Sequence, residues 1–75
     1  MKYAEKAEIN LAISECGREI PITRHKWNNH ALELWIEEPE HADEVKAKLF
    51  HSCDDYLKGV MMVFKWQDGE KVVLF

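Results

Sequence analysis

The stretch that decides the fold is 59-GVMMVFKWQDGEKVVLF-75, in which two apolar runs flank Asp68-Gly69. Asp-Gly is the pair that a two-residue type I′ turn prefers, so this stretch predicts a β-hairpin. A turn over Asp68-Gly69 pairs Trp66 with Lys71. Side chains alternate across each strand, and both faces of the resulting hairpin are therefore apolar.

The two faces of this hairpin carry different sets of apolar side chains. One face has Met62, Phe64, Trp66, Val73 and Phe75, and the other has Met61, Val63, Val72 and Leu74. The chain has only one clear amphipathic helix, which can cover only one of them. We therefore expect an apolar surface to remain for a partner, although the sequence does not say which face it is.

The segment after Pro39 predicts that helix. Proline suits the first turn, and Gly59 is placed to end the helix in the left-handed conformation. Glu40, Asp43 and Glu44 favour the positive end of the helix dipole. An apolar stripe recurs at helical spacing and consists of Ala42, Val45, Leu49, Phe50, Cys53 and Leu57.

The first third of the chain predicts strands. Ile9, Leu11 and Ile13 alternate with more polar residues, which indicates a half-buried strand from residue 8 onward. A helix from Lys2 is the competing interpretation, and residues 1–6 remain open between the two. A hairpin turn at Cys16-Gly17 would place Leu11 opposite a second strand and keep the apolar side chains on one face.

A third strand is predicted by Leu32, Leu34 and Ile36, after a polar connection over residues 24–30. A three-residue loop over 28–30 would place Ile22 opposite Ile36. The predicted fold is therefore α+β: a single domain over residues 1–75, with an antiparallel-rich sheet of about five strands in the order β-β-β-α-β-β. The one helix packs on one face of this sheet.

Charge is concentrated in the middle of the chain. The net charge is −4, and residues 33–55 hold eight acidic and two basic residues. Direct nucleic-acid binding is disfavoured, because phosphate binding needs clustered Lys and Arg. A larger protein with a basic surface is the better-matched partner. Two isolated cysteines, no signal-peptide pattern and no membrane-length apolar run favour a cytoplasmic protein.

The chain offers no recognisable catalytic, cofactor or metal motif. Residues 51–55, HSCDD, include several reactive types, but helical neighbours point in different directions and cannot share a proton. The cysteines and histidines lack zinc-finger spacing. We expect a non-enzymatic protein. A competing hypothesis is a small enzyme or metal protein whose site is built across a dimer interface from His25, His30, His41 or His51.

The tryptophans and the acidic residues are the candidate partner-binding set, because tryptophan is enriched at interface hot spots. The set is Trp27, Trp35, Trp66, Glu33, Glu37, Glu38, Glu40, Asp43 and Glu44. The expected function is that of a small acidic inhibitor that blocks a nucleic-acid-handling protein. Phage-encoded anti-CRISPR and anti-restriction proteins are often of this size and charge. The alternative is an assembly subunit that forms a homodimer through the spare hairpin face.

Overall fold

The computed structural model describes residues 3–75, which form two helices and a four-stranded sheet. The elements are α1 (Tyr3–Cys16), β1 (Ile22–Asn28), β2 (Ala31–Ile36), α2 (Glu40–Leu57), β3 (Met61–Trp66) and β4 (Gly69–Leu74). The sheet order is β1-β2-β3-β4, with β2 and β3 parallel and the other pairs antiparallel. The α+β class is confirmed, but the sheet has four strands rather than about five, and two helices rather than one pack on it.

The predicted first strand is a helix, α1. Ile9, Ala12, Ile13 and Cys16 are buried at helical spacing, whereas Leu11 is 62% exposed. The alternation that suggested a strand therefore counted Leu11 as a core residue in error. The competing helical interpretation was correct in type, although its proposed start at Lys2 lies outside the described residues.

The predicted hairpin at Cys16-Gly17 is also wrong, because the helix ends there. The Gly17 N–H donates to the Ile13 carbonyl at 2.9 Å and closes the last helical turn. Residues 24–28 of the predicted polar connection belong instead to strand β1. Ile22 does lie opposite Ile36, as predicted. The turn between β1 and β2 is shorter than the predicted three-residue loop, because Asn28 pairs with Ala31. A register shift between Ile22 and Arg24 compensates for the missing residue.

Helix α2 is confirmed as the element that follows Pro39 and precedes the left-handed Gly59, whose φ is 84°. Five residues of its predicted stripe are buried, but Phe50 is 58% exposed and does not belong to the core. The helix is kinked at Cys53, which has non-helical backbone angles. It carries the chain from the end of β2 back to the start of β3, which makes these two strands parallel.

The C-terminal hairpin is confirmed with a register two residues from the predicted one. Trp66 lies opposite Gly69 rather than Lys71, so Gln67 and Asp68 form the turn. Only Asn29 and Gly59 have positive φ among residues 3–75, and the turn is therefore not type I′. A Cβ on Gly69 would approach the Trp66 ring at 3.3 Å, so a larger residue there would require the ring to shift. A two-residue shift leaves every side chain on its predicted face.

Both helices cover the same face of the sheet. Helix α1 lies over β1, where the Trp27 indole N–H donates to Asn10 Oδ1 at 2.8 Å. Helix α2 lies over the hairpin, where Lys71 pairs with Asp43 at 3.0 Å. Between helices and sheet is one core cluster, which includes the fully buried Met62 and Phe64. The opposite face of the sheet remains uncovered by any described element.

Candidate protein-binding surfaces

The uncovered side of the sheet, here called the open face, carries three side chains from each strand. The strand pairings place them in three rows across β1, β2, β3 and β4. The rows are Asn28, Ala31, Met61 and Leu74; then Lys26, Glu33, Val63 and Val72; then Arg24, Trp35, Lys65 and Glu70. The open face is thus apolar at one corner and charged around Trp35.

The apolar corner is the spare face of the C-terminal hairpin, and we call it the hairpin patch: Met61, Val63, Val72 and Leu74. Met61 is 42% exposed, Val72 56% and Leu74 71%. Four adjacent apolar side chains on two paired strands form a contiguous surface rather than isolated exposed residues. A surface of this kind is typical of a protein–protein contact.

Trp35 lies half-buried at the charged end of the open face. The Arg24 guanidinium lies 4.9 Å from the centroid of its ring, and the Lys65 ammonium lies 5.2 Å from it. Lys65 also pairs with Glu33 at 2.6 Å, and this hydrogen bond lowers the pKa of the Glu33 carboxyl. The immediate surroundings of Trp35 are therefore cationic as well as acidic. Sequence reasoning missed Arg24 and Lys65, because only the strand register brings them to Trp35.

The other two tryptophans lie at the edge of the core. Trp27 is half-buried on the helix-covered face, with the Lys6 ammonium 5.1 Å from its ring centroid. Trp66 is half-buried on the same face and packs against Gly69 at the hairpin turn. Both side chains are anchored within the chain, so Trp35 is the tryptophan that the structure places on the open face.

The predicted acidic residues separate into engaged and available groups. Glu33 and Asp43 are paired with lysines, as described above. The remaining four are exposed at the N-terminal end of α2, and we call them the acidic cluster: Glu37, Glu38, Glu40 and Glu44. None of the four lies within 4.0 Å of a cationic nitrogen in residues 3–75. Their side chains therefore face solvent, although the pKa of Lys48, which is raised mainly by its hydrogen bond to Glu19, is also raised by the Glu44 charge one turn along the helix.

A shallow groove of about 370 Å³ runs between the helices, lined in part by Cys16, Lys48 and His51. Burial raises the pKa of both Cys16 and Cys53 above the ordinary thiol value of 9.0. The Cys53 thiol donates to the Leu49 carbonyl at 3.3 Å, as a structural cysteine does.

The HSCDD segment therefore contributes a packed thiol and exposed polar side chains rather than an arranged set of reactive groups. Within residues 3–75, no three His, Cys, Asp or Glu side chains are grouped as metal ligands would be. Neither described helix is long and apolar enough to cross a membrane.

Comparison of the chain with protein-family models, with curated proteins and with solved structures finds no match.

Proposed function

We propose that this chain is a non-enzymatic binding protein that occupies a basic surface of a larger protein through its acidic cluster. Nucleic-acid-handling proteins are the class whose working surfaces are basic, and blocking such a surface would inhibit them. Phage-encoded inhibitors of host nucleases offer an analogy in size and charge alone. We place this activity in the cytoplasm, where the two free thiols would stay reduced.

The observation that carries the proposal is the availability of the acidic cluster. Its four carboxylates occupy one end of the molecule, where β2 leads into α2, and are not paired with cations within residues 3–75. Trp35 ends the open face at the same end, two residues before Glu37. An aromatic side chain beside a charged rim has the composition of a protein interface.

The energetic contribution of this cluster follows from its exposure. An exposed ion pair contributes roughly 0.2–1 kcal/mol, so four such pairs contribute about 1–4 kcal/mol. This corresponds to about 5-fold to several-hundred-fold in affinity. Charges of this kind act mainly on the association rate, and salt weakens them. Binding of a basic partner should therefore fall steeply as the salt concentration rises.

A pair of charge-matched variants tests the proposal. In the first, Glu37, Glu38, Glu40 and Glu44 are changed to glutamine; in the control, four exposed acids elsewhere are neutralised. The control is Glu8→Gln, Glu15→Gln, Asp54→Asn and Asp55→Asn. Both variants change the net charge from −4 to 0 (−4 + 4 = 0). The probe is a dodecalysine peptide, with binding measured by calorimetry at low and high salt.

We expect the acidic-cluster variant to bind dodecalysine at least about fivefold more weakly than the control, with the difference lost at high salt. Equal affinities would show that only net charge matters and would overturn the proposed site. The same variants should then be tested for displacing a labelled oligonucleotide from basic nucleases, measured by fluorescence anisotropy. A wild-type chain that displaces the oligonucleotide from no member of the panel would argue against inhibition of this protein class.

A further inference from the structure

We propose that a second copy of this chain covers the hairpin patch, forming a twofold dimer whose axis runs parallel to the strands between β3 and β4. This inference is independent of the acidic-cluster function. It follows from the pattern of residues on the open face of the hairpin. There Met61 lies opposite Leu74, Val63 opposite Val72, and Lys65 opposite Glu70.

A twofold axis in this position lays β3 of one copy over β4 of the other, in the same row order. Each side chain then faces the equivalent of its own cross-strand neighbour. The Met61–Leu74 and Val63–Val72 rows bring apolar side chains together, as sheet packing requires. The third row brings Lys65 of each copy, whose ammonium also pairs with Glu33 of its own chain, opposite Glu70 of the other copy, so that opposite charges face each other.

The charges exclude the other simple twofold arrangement. An axis perpendicular to the strands would reverse the row order and place Lys65 against Met61 and Glu70 against Leu74. Covering a charge with an apolar side chain is unfavourable. Glu70 is also available for a partner, because no cationic nitrogen lies within 4.0 Å of its carboxylate in the part of the chain that the structure describes.

The dimer has a consequence for the acidic clusters. Because the axis is parallel to the strands, the row that contains Trp35 and Lys65 lies at the same end in both copies. Both acidic clusters adjoin that row, so the dimer carries eight carboxylates (4 + 4) at one end. A hairpin-sized contact is smaller than a standard interface, and we therefore expect a concentration-dependent dimer rather than a permanent one.

Charge-swap mixing tests the arrangement. Lys65→Glu alone places glutamates opposite each other across the interface, and Glu70→Lys alone does the same with lysines. An equimolar mixture of the two variants restores both oppositely charged pairs of this row in a heterodimer. We expect each variant to remain near 8.9 kDa, and both the wild type and the mixture to approach twice that mass at high concentration. Masses are measured by sedimentation equilibrium, and circular dichroism verifies that each variant is folded.

Lys65 also pairs with Glu33, so Lys65→Glu could weaken the fold as well as the dimer. A second pair of variants, at positions without such a contact, separates the two effects. Met61→Lys and Leu74→Glu change only exposed side chains and should likewise associate only when mixed. A wild-type chain that stays monomeric at every concentration would overturn the proposal and leave the patch for a different protein. A dimer that neither mixture restores would also overturn it. A dimer that persists in each single variant would likewise overturn it, and would point to pairing along the free edge of β4, which does not oppose Lys65 to Glu70.

Discussion

Truncation of Ile9 should destabilise the fold strongly and truncation of Leu11 hardly at all, because α1 buries the first side chain and exposes the second. Ile9 is completely buried against the core, whereas Leu11 is 62% exposed. In a strand, both residues would point to the same face and contribute alike. Ile9→Ala and Leu11→Ala therefore form a matched pair that distinguishes the helix from the strand.

The expected magnitudes follow from burial. Replacing a buried isoleucine with alanine costs about 2–5 kcal/mol, from lost transfer free energy and the cavity left behind. At about 0.05–0.15 kcal/mol per residue, a domain of 75 residues is stable by about 4–11 kcal/mol. Ile9→Ala should thus remove a large part of the total stability. Leu11→Ala should change it by less than about 0.5 kcal/mol, because the site is exposed and alanine favours helices.

Urea unfolding followed by circular dichroism measures both effects. We expect the midpoint for Ile9→Ala to fall sharply at an unchanged m-value, while the midpoint for Leu11→Ala stays near that of the wild type. Comparable losses in the two variants would refute the helical packing of α1. A stable Ile9→Ala variant would refute the burial of that side chain.

Three further outcomes are expected. Gly59→Ala should lower the free energy of unfolding by about 1–2 kcal/mol, because φ is 84° there and strain in the backbone, not crowding, opposes a side chain. Gly17→Ala is the control in urea unfolding, because a Cβ there would meet its neighbours at ordinary contact distances. Cys16 and Cys53 should react slowly with a thiol reagent at pH 8, because their raised pKa leaves less thiolate than in the unfolded chain; rapid reaction without urea would contradict their burial. Trp27→Phe should cost about 1 kcal/mol by losing its indole hydrogen bond to α1, and an unchanged thermal midpoint would count against that bond.

The parts of the fold that could be predicted are those where one local pattern has one interpretation. Helix α2 has a proline start, a glycine end and a stripe at helical spacing, and all three agree. The hairpin faces were also predictable, because a two-residue register error leaves side-chain alternation unchanged. Residues 8–14 fit both a strand and a helix, so local pattern could not decide between them.

The candidate surfaces show the same division. The acidic character of residues 33–55 can be read directly from the chain. The sequence does not show which acidic side chains remain unpaired. Glu33 and Asp43 are paired with lysines that lie 32 and 28 residues away in sequence, and only the fold brings them together. The cations beside Trp35 likewise come from two neighbouring strands.

By itself, the sequence determined the helix after Pro39, the C-terminal hairpin, its two apolar faces and the concentration of acidic charge. These features depend on spacing between residues that are near in sequence. Only the tertiary structure decided that α1 is a helix and that the hairpin patch stays open. The reason is that burial of Ile9 and Ile13, and exposure of Leu11, depend on what packs against α1. Side-chain periodicity specifies possible faces, but long-range packing selects the face that becomes the core.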